Sequence, residues 1–452
     1  MKTLIDKIIR FAMNDRVLSR VLKNTGYLFS STSIGLLLSM IQSIFAARLL
    51  GVAAFGSVSI ISSFVSNVNR LFSFRMGEFV IRYLGKELTN ENMEKAGAVV
   101  KIAMLIEALT SLAAFAALML LAPLGAKYFA KDMQALAMIQ LFGVTILARL
   151  VFETATGVLQ ITNHFRTQAA INLAQSILTA LLILLAFLLN GSIYSVLLAY
   201  LAGKVVVALG TTFMAFVYLR RHLHPAWWRT SLASMPPLKE VVRFTLSTNL
   251  SGTVKMVATE SEPLLVGFFL NKEAVGLYKL ALSIVNPLMM PITPFISTTF
   301  PELTRSIVTG AWGQLKRLLR RVTLISASWT AMVLLVMLVL GRWLIKILYG
   351  SEFVPAYPAT MVLLVGFGFA NVFFWNRSLH LSFGKANIPF YVLLAAAVVK
   401  TLLAFWVVPQ WGIIGEGVLL TGYQVISTTV LVYIGLRMIL KHEAAQSGEV
   451  SG

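Results

Sequence analysis

The chain has 452 residues, of which 58% are hydrophobic and only 12% charged, and its mean hydropathy is +0.82. Soluble domains are about 45–50% apolar and about 25% charged, so this composition excludes a soluble protein and predicts a polytopic membrane protein. The net charge of +20 is spread between apolar runs rather than gathered in a stripe, which argues against a nucleic-acid partner and favours contact with anionic membrane lipids.

The predicted elements begin with residues 1–23, where basic residues alternate with apolar ones. This pattern is typical of an amphipathic helix on a membrane surface, not of a cleavable signal. Lipid cannot hydrogen-bond to the backbone, so a spanning segment must satisfy its own N–H and C=O groups. Each apolar run that follows is therefore interpreted as a helix. The twelve predicted spans are 25–47, 54–72, 97–121, 134–156, 169–190, 193–218, 241–269, 275–299, 322–345, 357–376, 387–408 and 413–436.

The basic residues predict the orientation of these spans. With the N-terminus in the cytoplasm, 25 of the 38 Lys and Arg residues fall in cytoplasmic segments and 6 in external ones. The positive-inside rule therefore predicts cytoplasmic termini and a multi-pass protein of the cytoplasmic (inner) membrane. The predicted fold class is an all-α polytopic membrane protein with about twelve transmembrane helices.

The second half of the sequence repeats the first at a constant offset, for example at Leu50 and Leu270 and at Gly56 and Gly276. Six spans separate the repeats, so both begin on the same side of the membrane. We therefore expect two six-helix lobes related by a pseudo-two-fold axis along the membrane normal. The predicted N-terminal lobe is 1–222, the cytoplasmic linker is 223–237 and the C-terminal lobe is 238–452.

Four spans in equivalent pairs carry polar stripes at helical spacing. Polar faces in a membrane point at protein or water, so we expect a solvated cavity between the lobes. The alternative is that small polar residues only help helices to pack, which explains Lys255 and Glu262 poorly. The stripe residues predicted to bind substrate are Lys255, Lys279, Arg70, Ser31, Gln42 and Ser251.

Charge assigns roles within this set. A cation on the stripe suits an anionic substrate. Glu262, a carboxylate among apolar residues, is the candidate for ion coupling, although Lys255 could instead pair with it. Lys204 and Lys400 have no neighbour of opposite charge in sequence, so a partner on another helix or a ligand is open for both.

Several segments form a recognisable series over nearly the whole chain, among them "ARLLGVAAFGSVSI", "MGEFVIRYLGKE", "EPLLVGFFLNKEAVGLYKLALSI" and "FGKANIPFYVLLAA". In sequence and in order, these segments resemble prokaryotic polysaccharide flippases. Together they are similar to the flippases of lipid-linked oligosaccharide repeat units in the multidrug/oligosaccharidyl-lipid/polysaccharide (MOP) superfamily. The sequence departs from that pattern at Glu416, where a small residue is usual.

The resemblance implies alternating access that moves a polyprenyl-pyrophosphate-linked oligosaccharide to the outer leaflet for O-antigen, capsule or exopolysaccharide synthesis. The expected partners are this substrate, membrane lipids and other polysaccharide-assembly proteins. The sequence has no cysteine, no nucleotide-binding motif and no catalytic triad, so we expect neither a cofactor nor an enzyme. The alternatives are an ion-coupled multidrug/cation antiporter of the same superfamily and a membrane-embedded glycosyltransferase or polymerase.

Overall fold

A computed structural model describes most of the chain. The described residues are 16–73, 76–223, 227–230, 241, 253, 256–257, 259–385 and 387–449. For residues 16–32, 293–298 and 446–449 the description covers the backbone only. Most of predicted span 7 and most of the linker therefore lie outside the described residues. The same holds for residues 1–15 of the predicted amphipathic helix.

The described part of the chain is helical almost throughout. Its α-helices, numbered in chain order, are α1 Arg16–Phe72, α2 Met76–Thr89, α3 Met93–Leu124, α4 Ala135–Ala148, α5 Phe152–Ile161, α6 Phe165–Leu188, α7 Ile193–His222, α8 Glu262–Phe269, α9 Lys272–Met289, α10 Thr293–Val308, α11 Trp312–Leu348, α12 Tyr357–Val372, α13 Asn376–Ser382 and α14 Asn387–Glu449. Shorter helical turns cover Gly125–Ala130, Trp227–Arg229, Met290–Ile292 and Ser351–Ala356.

Nine helical segments of the described residues are long and apolar enough to cross a membrane. Two of them, Ser33–Phe72 with 40 residues and Asn387–Ala445 with 59, are about two or three times the 20 residues that a crossing needs. Each is interrupted by a glycine with positive φ, Gly51 at 70° and Gly412 at 60°, at the place where the sequence predicts a turn between two spans. The polytopic helical fold is confirmed, and the number twelve stays a prediction.

Two predicted spans are broken inside the apolar region. Span 4 divides into α4 and α5 at residues 149–151, and span 8 divides into α9 and α10 at Met290–Ile292. Pro287, Pro291 and Pro294 accompany the second break, because each proline lacks the N–H that would continue the helix.

The chain divides into two compact units. Unit 1 comprises residues 1–42, 68–122 and 140–250, and unit 2 comprises 43–67, 123–139 and 251–452. In unit 1 the core is built from α2, α3, α5 and α7, and fully buried Met76, Phe79 and Val158 lie at its centre. In unit 2 an apolar cluster packs α10, α11 and α13 around Leu303 and Leu315. Each unit combines several separate segments of the chain, whereas each predicted lobe is one continuous segment. The lobe boundaries therefore stay a prediction.

The backbone supports the internal repeat independently of residue identity. Positive φ angles, which few residues adopt, mark the turns between helices. Eight of the nine such positions in the described chain recur at nearly the offset of the sequence repeat, in the pairs Glu91 and Gly310, Lys131 and Gly350, Asn163 and Gly384, and Asn190 and Gly412. The two halves of the sequence therefore place their turns alike.

A close backbone contact inside unit 2 joins equivalent positions of the repeat. A Cβ added to Gly56 would collide with the carbonyl oxygen of Lys272, and one added to Gly276 would collide with that of Val52. Val52 corresponds to Lys272 at the same offset that relates Gly56 to Gly276, so the contact is reciprocal and has local two-fold symmetry. Glycine is needed at both positions because the backbones touch.

Candidate functional site

The candidate site begins with Glu262, the first residue of α8. The helix starts there because the chain is irregular at Glu260 and Ser261 and because Pro263 in the first turn cannot continue a preceding helix. A carboxylate at a helix N-terminus also interacts favourably with the helix dipole. The break thus holds Glu262 inside the apolar region at a fixed point.

Two further charged residues reach this point from α14. Lys400 lies before the interruption at Gly412, and Glu416 lies four residues after it. Lys400 Nζ is 3.0 Å from Glu262 Oε1 and 2.9 Å from Glu416 Oε1. Tyr278, on α9, donates its hydroxyl to Glu262 Oε2 over 3.4 Å. Glu262, Tyr278, Lys400 and Glu416, here called the ion cluster, all belong to unit 2.

The ion cluster is sealed from solvent. Glu262 is 1% exposed, Lys400 3% and Glu416 0%. Apolar residues one turn along α14, Ala404 and Leu419, pack with Phe269 on one side of it. Such a cluster must be paired internally, because leaving one buried charge without its partner costs about 3–5 kcal/mol.

Unit 1 has a neutral counterpart of this arrangement. Gln42 is the repeat equivalent of Glu262, is 6% exposed, and donates from Nε2 to the carbonyl oxygen of Ser176 over 2.9 Å. Ser176 lies on α6, which corresponds in the repeat to the first part of α14. Both repeats thus connect their first span to their fifth from an equivalent residue of the first span, one through an amide and the other through an ion pair.

A different buried carboxylate in unit 1 has a structural role. Glu107 on α3 is 2% exposed and accepts hydrogen bonds from the backbone N–H groups of Glu153 at 2.7 Å and Thr154 at 2.8 Å. These N–H groups belong to the first turn of α5 and have no partner within that helix. Glu107 therefore caps the second half of the broken span 4.

The predicted substrate-binding residues fall into three groups. Lys255 and Ser251 lie outside the described residues, and Ser31 lies on α1 with its side chain not described. Gln42 is buried within unit 1, as above, and Arg70 is exposed at the end of α1. Lys279 is half-buried on α9, and its ammonium makes no hydrogen bond or ion pair with any other described residue. Their role in binding stays a prediction.

Sequence reasoning named Lys400 and Glu416 but did not join them to Glu262, and it did not single out Tyr278. Of the two possibilities left open for Lys400, the structure shows the partner on another helix. The available signal was that a buried lysine requires a carboxylate, but the hydrogen bond to Glu262 spans 138 residues of chain. In the described part of the chain, no three His, Asp or Glu residues are arranged to hold a metal ion.

Sequence comparison identifies relatives. Residues 45–358 match the model of a family described as "Polysaccharide biosynthesis protein". The chain is also 23% identical over 346 residues to the inner membrane protein YghQ of Escherichia coli strain K12, which covers 76% of this chain and 96% of that protein.

Solved structures show a shared fold. An inward-facing MATE family multidrug resistance transporter of the MOP superfamily has a TM-score of 0.70 at 14% identity, over 91% of this chain and 96% of that one. The lipid II flippase MurJ, in an inward closed conformation, has a TM-score of 0.71 at 14% identity, over 92% and 90%. A MOP superfamily transporter from Pyrococcus furiosus has a TM-score of 0.64 at 11% identity, over 93% and 96%.

Proposed function

Because the chain belongs to the polysaccharide biosynthesis protein family and has the fold of MOP superfamily transporters, we propose that it is a flippase for lipid-linked oligosaccharides. It carries a polyprenyl-pyrophosphate-linked oligosaccharide from the cytoplasmic to the outer leaflet by alternating access. The family match over residues 45–358 is the observation that carries this proposal. The fold it shares with a lipid II flippase agrees with a cargo that has a polar head and a lipid tail.

The polar head of such a cargo carries a pyrophosphate, so its site must supply cations. Lys279 is a half-buried residue whose ammonium has no partner among the described residues. An ammonium held in an apolar region gains most from an incoming anion, because its own charge is costly there. Lys255 and Arg70 are the other cations proposed to bind the anionic head, and Ser31, Gln42 and Ser251 are the polar residues proposed to bind the cargo.

The lipid tail needs an apolar surface that is open to the bilayer. Unit 2 has a groove of about 260 Å³ between Thr253 and Val257 on one side and α14 on the other, where Ala397 and Leu402 line it. Leu402 is 66% exposed, so the groove opens at the surface. An isoprenoid chain fits this lining, since most of the lining residues are apolar and the hydroxyl of Thr401 is already bonded to the carbonyl oxygen of Ala397.

The proposed setting follows from the same argument. The protein lies in the inner membrane, as its relative YghQ does by name, and both termini face the cytoplasm. Membrane lipids and other polysaccharide-assembly proteins are its proposed partners. It transports and does not catalyse a reaction, and Glu262 with its ion cluster is the proposed site of ion coupling.

The test is translocation in vesicles that contain the purified protein and a lipid-linked oligosaccharide, with a glycosidase that acts only on the outer leaflet. We expect wild-type protein to expose the inner pool to the enzyme. Lys255→Ala should lose most transport and Lys255→Arg should retain part of it, because the charge survives in the second variant. The matched control is Lys346→Ala, which removes an exposed lysine in the last turn of α11. Wild-type vesicles that behave like protein-free vesicles would contradict the proposal.

A second experiment separates the two roles considered for Lys255. Glu262 already has Lys400 as its partner, so we expect Lys255→Ala combined with Glu262→Gln to remain inactive. Recovery of transport in the double variant would show that Lys255 serves Glu262 rather than the cargo.

The second candidate is a multidrug/cation antiporter, which the fold shared with the MATE family transporter favours. An exporter of organic cations requires an acidic cavity, whereas the charged stripe residues are mostly basic, with Arg70, Lys255 and Lys279 against Glu262. Export of a fluorescent organic cation from the same vesicles, unaffected by lipid-linked oligosaccharide, would favour the antiporter.

A further inference from the structure

We infer that the ammonium of Lys400 occupies the cation position of a buried acidic site, and that the two carboxyl groups around it therefore bind one exchangeable proton instead of a metal ion. Two carboxylates, from α8 and from the second part of α14, converge on Lys400 Nζ at 3.0 and 2.9 Å. A pair of carboxylates around one point is an arrangement that otherwise holds a cation. Here the protein supplies that cation itself.

The charges of the cluster do not balance when every group is ionised. One ammonium faces two carboxylates, which leaves an excess of one negative charge at residues no more than 3% exposed. A buried net charge is strongly unfavourable, and a carboxyl group in that position takes up a proton instead. One proton makes the cluster neutral.

Both carboxyl groups lie against the same ammonium. Glu262 accepts a hydrogen bond from Lys400 at 3.0 Å on one oxygen and one from Tyr278 at 3.4 Å on the other. Glu416 Oε1 lies 2.9 Å from Lys400 Nζ. The two carboxyl groups therefore share one ammonium, and one proton between them makes the cluster neutral.

Elements next to the cluster carry further charged groups. Glu260 is half-buried in the irregular segment before α8, and Lys127, in the turn Gly125–Ala130 that packs on α8, is exposed. On α9, Tyr278 is neutral and Lys279 lies half-buried beside it in the chain. On α14, Tyr423 is the nearest further ionisable side chain, and it is 8% exposed. The packed helix α12 contributes only Tyr357, whose hydroxyl donates to the carbonyl oxygen of Leu338.

A sodium ion has no place in this cluster while Lys400 is charged. It would need the same carboxylate oxygens and would lie within a few ångströms of the ammonium, where like charges repel strongly at low dielectric. Loss of the proton leaves two carboxylates, Glu262 and Glu416, that compete for Lys400, so the contact between α8 and α14 responds to protonation. The use of this proton to drive transport rests on the proposed function.

The test measures thermal unfolding of the full-length protein in detergent, with no cargo present. Sodium is exchanged for choline at constant ionic strength, and the pH is varied separately. We expect the wild-type Tm to be indifferent to sodium and to fall as alkaline pH removes the proton. Lys400→Gln, which vacates the cation position, should gain a saturable rise of Tm with sodium. Lys101→Met is the matched control, because Lys101 donates to the carbonyl oxygen of Thr230 and meets no carboxylate there.

Glu416→Gln keeps the test decisive if Lys400→Gln does not fold. It removes the second carboxyl group and leaves Lys400 and Glu262 as a balanced ion pair, so it should preserve Tm at neutral pH and remove its fall at alkaline pH. Infrared spectra should show one carboxylic-acid band in the wild type that Glu416→Gln lacks. Wild-type stabilisation by sodium, or an unchanged band in Glu416→Gln, would overturn the inference. Because no cargo is involved, these outcomes do not depend on whether the protein is a flippase.

Discussion

The two repeats connect their first span to their fifth from equivalent residues of the first span, Gln42 and Glu262, but with different chemistry. In unit 1, Gln42 donates one neutral hydrogen bond to the carbonyl oxygen of Ser176. In unit 2, Glu262 forms an ion pair with Lys400, which also faces Glu416. A neutral amide has one state over the whole physiological pH range, whereas a carboxylate pair has two. The repeat therefore supplies one fixed connection and one that a proton can change.

The largest effect is expected from Lys400→Met in unit 2. It leaves two buried carboxylates without their cation, which costs about 3–5 kcal/mol when one partner of a buried pair is removed. Gln42→Leu in unit 1 removes a single neutral hydrogen bond and should cost about 1 kcal/mol. Thermal unfolding of both variants in detergent measures the difference. Equal losses would show that the two connections are energetically alike and would break the comparison.

A transplanted ion pair tests the equivalence of the two positions. Gln42→Glu places a carboxylate against the carbonyl oxygen of Ser176 and should cost about 3 kcal/mol, because it buries a charge without a cation. Adding Ala180→Lys, at the repeat equivalent of Lys400, should recover part of that loss. The measurement is the Tm of the single and double variants, with Ala180→Lys alone as the control. A double variant no more stable than Gln42→Glu would mean that the positions are not equivalent.

The glycine contact in unit 2 is the place where the two repeats are expected to behave identically. Gly56→Ala and Gly276→Ala each drive a methyl group into a backbone carbonyl of the other repeat. Overpacking of this kind costs about 1–3 kcal/mol, and the local symmetry predicts similar losses for the two variants. Gly422→Ala is the matched control, since nothing described lies within 4 Å of a Cβ at that position. A large loss for one glycine and none for the other would contradict the two-fold relation.

The fold was predictable from the sequence because apolar runs, basic loops and turn glycines are local signals. Gly51 and Gly412 lie where the hydrophobic pattern changes, and both carry positive φ. The site was only partly predictable. In the sequence, Glu107, Glu262 and Glu416 are all carboxylates within apolar runs. In the structure Glu107 caps a helix, whereas Glu262 and Glu416 both contact Lys400. Which carboxylate meets Lys400 depends on the packing of α8 against α14, and that packing leaves no pattern at helical spacing.

The smallest effect is expected from the protonation of His164. Its contribution to stability must be known before the pH response of the ion cluster can be interpreted. His164 lies between α5 and α6, stacks on Tyr218 with ring centroids 3.4 Å apart, and lies 6.0 Å from the ring of His222. Burial lowers the pKa of His164 below its ordinary value of 6.5, and the charge of His222 lowers it further. Above pH 6.5 both the folded and unfolded chains are neutral at this residue, so it contributes nothing.

As the pH falls through 6.5, the unfolded chain takes up a proton that the folded chain resists, and stability is lost until the pH passes the lower folded pKa. His164→Gln should therefore reduce the fall of Tm between pH 7.5 and 5.5 by less than about 2–4 °C. It should leave the alkaline response assigned to the ion cluster unchanged, because that response belongs to unit 2 and to a different proton. Thermal unfolding of His164→Gln, Glu416→Gln and the double variant across this range measures both responses. Additive effects would assign the acid and alkaline responses to separate groups, whereas loss of the alkaline response in His164→Gln alone would remove the ion cluster as its source.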